Sequence, residues 1–183
     1  MLAGIGPKAR PALDALVAAL DDADPTIREE AAGAIASIGG DAASAVPKLQ
    51  EVLKAATAAG GSVGAAYTSA YALGKIGPAA KPALETLRSL ATAEDEILAT
   101  VAVWATLKIS PEDTSLLAVA IPKLRKALRA PQDVVRLEAA VALGDLGPAA
   151  TEAVPILELV SEEDSAKAVR AAAADALRKI TGG

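Results

Sequence analysis

The sequence predicts an all-α fold, a single repeat domain over residues 1–183 made of about five stacked helix pairs. Three observations predict it. First, a phrase recurs along the chain, an apolar stretch closed by Ile-Gly or a near variant and then a helix breaker. Second, the residues before each closing phrase agree column by column at helical spacing. Third, the chain is 52% hydrophobic yet has no Phe, and its only aromatics are Tyr67, Tyr71 and Trp104. A core of Ala, Leu, Val and Ile needs closely approaching helices, with Ala letting backbones draw near and Leu filling the gaps.

The closing phrases are Ile5-Gly6, Ile38-Gly39, Ile76-Gly77, Ile109-Ser110, Leu146-Gly147 and Ile180-Thr181. Their spacings of 33, 38, 33, 37 and 34 residues define units of approximately 6–38, 39–76, 77–109, 110–146 and 147–181. Fixed periods of this length signal stacked supersecondary units. Residues 1–5 form the remnant of a preceding helix in this reading.

Within each unit a Gly-Pro, Gly-Gly or Ser-Pro breaker opens a first helix. That helix carries a proline in or near its first turn: Pro11, Pro47, Pro82, Pro122 and Pro155. Proline is tolerated there and kinks a helix further in, so the late Pro122 predicts the longest and most bent first helix in the fourth unit. A polar turn leads to the second helix. Its columns are Ile27, Ala65, Leu98, Val135, Val169; then Ala31, Ser69, Ala102, Ala139, Ala173; then Ala34, Ala72, Ala105, Ala142, Ala176; then Ile38, Ile76, Ile109, Leu146, Ile180. They stand at i, i+4, i+7 and i+11, one face of an α-helix.

The stretches from Leu73 to Leu84 (LGKIGPAAKPAL) and from Asp24 to Ala32 (DPTIREEAA) resemble bacterial HEAT-like repeats, of the short type similar to the phycobilin-lyase family. The resemblance covers essentially the whole chain. It implies a right-handed α-α superhelix with the second helices on the concave face. It also implies an inter-repeat polar ladder from an Arg early in the second helix. That column reads Arg28, Ala66, Ala99, Arg136, Arg170, so a ladder would be broken in the middle. Neither chain end reads as a polar cap, which solenoids need for solubility. A piece of a longer array, end-to-end stacking, and tolerated Ala-rich ends all fit.

Composition narrows the function classes. Cys and His are both absent, so no disulfide, thiolate nucleophile, imidazole base or Cys/His metal site can form. A formal charge of −5 speaks against nucleic acid and against an anionic membrane surface. There is no phosphate-binding loop and no catalytic constellation. No cofactor or metal is expected, and without a targeting segment the default compartment is the cytoplasm.

The second-helix faces left over by the core offer two further columns: Glu29, Tyr67, Thr100, Leu137, Ala171, and Gly33, Tyr71, Trp104, Val141, Asp175. All three aromatics fall in them. Two readings stand. Tyr67, Tyr71, Trp104, Leu137 and Val141 line a groove for a protein or peptide, flanked by Glu29, Glu30 and Glu138; or the rings fill gaps between Ala-rich helices, with Trp104 tucked under. Aromatic anchors are over-represented at binding hot spots.

The turns between paired helices are acidic in three units: Asp21, Asp22, Asp24; Glu94, Asp95, Glu96; Glu162, Glu163, Asp164. Helix capping explains them more simply than a cation or basic-partner site. The loop from Ala55 to Gly64 is a long turn that could also reach a ligand beside Tyr67.

The favoured function is a non-catalytic protein-binding scaffold. Two alternatives are a subunit of a chromophore-lyase-type or other enzyme complex, and a self-assembling structural or engineered array that associates through uncapped ends.

Overall fold

The computed structural model describes residues 12–58 and 61–182. The stretch Leu2 to Ile5, the Gly6-Pro7 breaker, Pro11, and Gly60 of the long turn lie outside the described residues, as does the side chain of Glu96. Among the described residues the chain is all-α, a HEAT-like repeat fold of five successive helix pairs. These are α1 (Leu13–Ala19) with α2 (Pro25–Ile38), α3 (Val46–Thr57) with α4 (Val63–Ile76), α5 (Leu84–Leu90) with α6 (Glu96–Ile109), α7 (Leu117–Ala127) with α8 (Asp133–Asp145), and α9 (Val154–Glu163) with α10 (Lys167–Thr181). The chain divides into two compact units, one ending at Glu112 and the other beginning at Asp113. In the first, α4 packs between α2 and α6, backed by α3; in the second, α10 packs on α8 and α9.

The closing glycines work through backbone geometry. Gly39, Gly77 and Gly147 follow α2, α4 and α8 with φ of 71°, 74° and 56°. A side chain is strained there, so glycine stops the helix and turns the chain into a 3-10 segment that leads to the next first helix. Ser110 occupies the same place after α6 but has φ −138°, and the chain leaves along a different path. Its hydroxyl donates to Glu112 Oε1 at 2.9 Å, and Asp113 Oδ1 accepts from the Ser115 backbone N–H at 3.0 Å to start a short 3-10 turn, Thr114–Leu116. That turn consumes residues which would otherwise extend α7. Hence α7 has 11 residues and α3 has 12, so the expectation that Pro122 marks the longest first helix is not met. Pro47 and Pro155 each stand second in their helices, where no N–H partner is lost.

The small columns are the core. Ala31, Ser69, Ala102, Ala139 and Ala173 are buried, and so are Ala34, Ala72, Ala105, Ala142 and Ala176. Leu20, Leu49, Leu53, Leu73 and Leu87 are fully buried in the first unit. Close approach is visible at Gly144, where an added Cβ would lie 2.8 Å from the Cα of Ala176 on the neighbouring helix. The first column departs from expectation at its start: Ile27 is 44% exposed, while Ala65, Leu98 and Val169 are buried.

The acidic turns cap helices. Asp24 Oδ1 accepts from the Thr26 N–H at 2.8 Å, and Asp95 Oδ1 from the Leu98 N–H at 2.8 Å. Asp22 and Asp164 accept from the N–H two residues on, both at 2.9 Å. The arginine column adds a clamp. Arg28, Arg136 and Arg170 each donate from Nη1 to two carbonyls of the turn before their own helix. Only Arg136 also reaches the next pair, with Nε and Nη2 donating to the Asp164 carboxylate at 2.7 and 3.0 Å. The ladder therefore has one rung in the second unit, and Ala66 and Ala99 have no side chain with which to build one.

Candidate partner-binding surface

The surface begins with the register of α4. Val63, Tyr67, Tyr71 and Lys75 stand at i, i+4, i+8 and i+12, so they form one stripe along the helix. Val63 and Lys75 are exposed, and both tyrosines are half-buried. The buried Ala65, Ala66, Ser69, Ala70, Ala72 and Leu73 occupy the other faces of the helix. The serine N-cap, Ser62, accepts from the Ala65 N–H at 3.2 Å and fixes where the stripe starts.

The three aromatic rings come together in the first unit. Tyr67 and Tyr71 are parallel within 2°, with centroids 6.3 Å apart. Tyr71 stacks on Trp104 of α6 with centroids 5.1 Å apart and planes 16° apart. Lys75 Nζ lies 5.9 Å from the Tyr71 centroid, within cation–π reach. The arrangement is a run of three rings ending on a cation.

Trp104 is not placed outward. Its side chain is 3% exposed, and its Nε1 has no hydrogen-bond partner. The reason lies on α4. Gly74 leaves a gap in which the indole sits: an added Cβ there would be 2.3 Å from Trp104 Cζ3 and 2.9 Å from the Cα of Ala105. Trp104 thus backs the patch from beneath, and its exposure as a groove residue is corrected to burial. The sequence shows a glycine inside the fourth helix, but nothing in it pairs Gly74 with Trp104.

Glu29 of α2 also differs from a free groove rim. Its carboxylate lies against Gly64 in the first turn of α4, where an added Cβ would be 2.3 Å from Oε1. The open N–H groups and the dipole of that helix end favour a carboxylate. Leu137 and Val141 are half-buried on α8 in the second unit, four residues apart. The structure therefore brings together Tyr67, Tyr71 and Trp104, sets Glu29 against the same helix, and places Leu137 and Val141 in a separate compact unit.

Sequence reasoning overlooked the exposed aliphatic residues at helix starts. Val63 and Ile97 are each 54% exposed in the first turns of α4 and α6. They precede the core columns by one or two positions and look apolar enough to be core. Among the described residues no group of three or more carboxylates is arranged to hold a metal ion, and no helix is long and apolar enough to cross a membrane.

Comparison with known proteins agrees with this architecture. The family described as HEAT repeats matches residues 109–178, which run from the last residue of α6 into α10. HEAT repeats generally serve as protein-interaction scaffolds. No curated protein matches the chain.

Proposed function

We propose that the chain is a protein-binding scaffold and that the outer stripe of α4 is its principal contact. The observation that carries this reading is the parallel run of Tyr67 and Tyr71 on a buried Trp104. Tyr71 stacked on Trp104, with Tyr67 parallel to it, loses little side-chain entropy on binding, and each tyrosine offers a large apolar face with a polar tip. Half-burial leaves part of each tyrosine accessible to a partner. Leu137 and Val141 on α8 are a second, smaller apolar contact in the same reading. The absence of His and Cys and the backing of the aromatic patch by small residues support binding over catalysis.

The test compares the wild-type chain with a Tyr67→Ala/Tyr71→Ala variant as baits in chemical cross-linking with mass spectrometry. Circular dichroism and melting first establish that the variant folds. A defined set of cross-linked proteins that the variant loses supports the reading. Identical sets for the two baits overturn it. Light scattering across concentration identifies the case in which the bound protein is a second copy.

A further inference from the structure

The rung between the fourth and fifth helix pairs is a template. Arg136 holds the turn before α8 with Nη1, and its Nε and Nη2 donate to the Asp164 carboxylate of the next pair. Counted back from the closing phrases, Arg136 shares its position with Arg28 and Arg170, and Asp164 shares its position with Asp22. The other residues at the Asp164 position are Gly60, Ala93 and Ala130, so Asp22 is the one further carboxylate there.

Both halves of a second rung are preformed, on different pairs. Arg170 is drawn onto the carbonyls of Asp164 and Ser165 as Arg136 is onto those of Ala130 and Pro131. Its Nε and Nη2, the atoms that make the rung in Arg136, make no hydrogen bond among the described residues. Asp22 is set as Asp164 is. Its Oδ1 accepts from the Asp24 N–H at 2.9 Å, as Asp164 Oδ1 accepts from the Ala166 N–H, and its carbonyl accepts from Arg28. Its Oδ2 accepts no hydrogen bond among the described residues. Arg28 has the same spare donors, but the matching position of the next pair is Gly60, which has no acceptor side chain.

Burial follows the same division. Arg136, Ala140 and Gly144 stand four apart on α8 and face α10, Arg136 through the rung and Gly144 through its approach to Ala176. The same stripe of α10 is Arg170, Ala174 and Arg178. Ala140 and Leu143 are fully buried, whereas the corresponding Ala174 and Leu177 are half-buried. In the first pair, Ile27 is 44% exposed and takes the place of the buried Val169.

We infer that the chain binds a second copy of itself head to tail, with Arg170 of one copy donating to Asp22 of the next. The outer stripe of α10 then packs on the α1/α2 pair of the other copy, as α8 packs on α10 within the chain. A two-pronged Arg–carboxylate pair fixes orientation as well as adding energy. Net charge does not select this contact. Lys167 is exposed near Arg170, but so are Glu162 and Glu163, and Asp21 and Asp24 flank Asp22, with Asp21 held by Lys48 at 2.6 Å. The selection comes from the matched geometry of the rung. Arg178 limits the strength, because it stands where Gly144 admits the neighbouring helix. Association is therefore reversible and weaker than the internal packing. A head-to-tail contact leaves the same two surfaces open at the ends of each assembly, so it repeats. It uses no residue of the α4 stripe and stands independently of the proposed function.

The test is light scattering coupled to size exclusion over a wide concentration range, at about 0.15 M salt to screen the net charge. The wild-type mass should climb with concentration without stopping at a dimer. Arg170→Glu alone and Asp22→Lys alone, each shown by circular dichroism to be folded, should associate at least about tenfold more weakly. An equimolar mixture of these two should regain association, because the intact Arg170 of one meets the intact Asp22 of the other. Arg178→Ala should associate several-fold more tightly than wild type, a gain that misfolding of a rung variant cannot imitate. A monomer at every concentration, a closed dimer, or folded single variants that associate like wild type overturn the inference. So does a mixture that stays monomeric, or association that is lost in Tyr67→Ala/Tyr71→Ala and kept in Arg170→Glu.

Discussion

Ser69 is the one member of its column that is not alanine, and its hydroxyl is fully buried without a hydrogen-bond partner. Burying an unpaired hydroxyl costs about 1–3 kcal/mol, and alanine is also the better helix former. Ser69→Ala should therefore raise stability by about 1 kcal/mol, read as a higher urea midpoint at unchanged slope. Gly74 makes the opposite case. Alanine there would gain about 1 kcal/mol of helix propensity, but its Cβ would lie 2.3 Å from Trp104 Cζ3. Overpacking of this kind costs about 1–3 kcal/mol, so the clash outweighs the propensity. Gly74→Ala should lower the melting temperature and shift Trp104 emission to the red as the indole is displaced. An unchanged, blue emission with higher stability would mean that the indole has room to move without cost. These two positions show how far residue-level reading extends. The column alignment singles out Ser69 as a departure, and Gly74 is visible as a glycine inside a helix. It does not reveal that Gly74 faces Trp104, because that depends on which neighbouring residue falls opposite the gap.

At the scale of elements, the contact between the α7/α8 turn and the α9/α10 turn rests on Arg136 and Asp164. Their side chains are 11% and 7% exposed and meet in a two-pronged hydrogen bond. The Arg136 hydrogen bond is the main reason the Asp164 carboxyl is held below its ordinary value. Burial opposes the shift, and the Ala166 N–H assists it. A group whose folded pKa is depressed stabilises the fold above its unfolded pKa, near 3.9 for Asp, and that contribution is lost as pH falls through the folded value. Asp164→Asn should therefore melt below wild type at neutral pH, with the gap closing as pH drops under about 4. A gap that stays constant through the acid limb would show that the charge contributes nothing. The arginine column was legible in the sequence, and so was the gap at Ala66 and Ala99. The acceptor was not. Asp164 lies among three acidic residues, and only the turn geometry separates it from Glu162 and Glu163. Likewise the Ile-Gly phrases marked the ends of the second helices, whereas Ser110 concealed the altered path into α7, which depends on Glu112 and Asp113.

For the molecule as a whole, the order of packing decides how a local defect spreads. Within the first unit α4 touches α2, α3 and α6, while α1 packs on α2. Stacked repeats derive their stability from each unit and its nearest neighbours. The repeat period and small columns made this architecture readable before any coordinates, because close helix approach demands Ala or Gly at fixed steps. What the period could not convey is the division after Glu112, since the phrase there differs from Ile-Gly by only one serine, no more than Leu146-Gly147 or Ile180-Thr181 differ from it. Leu73 is fully buried on α4, and Leu73→Ala should cost about 2–5 kcal/mol. Nearest-neighbour coupling predicts where the loss appears. Native-state hydrogen exchange should show α4 amides losing the most protection, α2, α3 and α6 losing part of it, and α1 least. Equal loss in all helices of the first unit would mean that it opens as one cooperative block, and the stack would then behave as a globular core rather than a chain of coupled repeats.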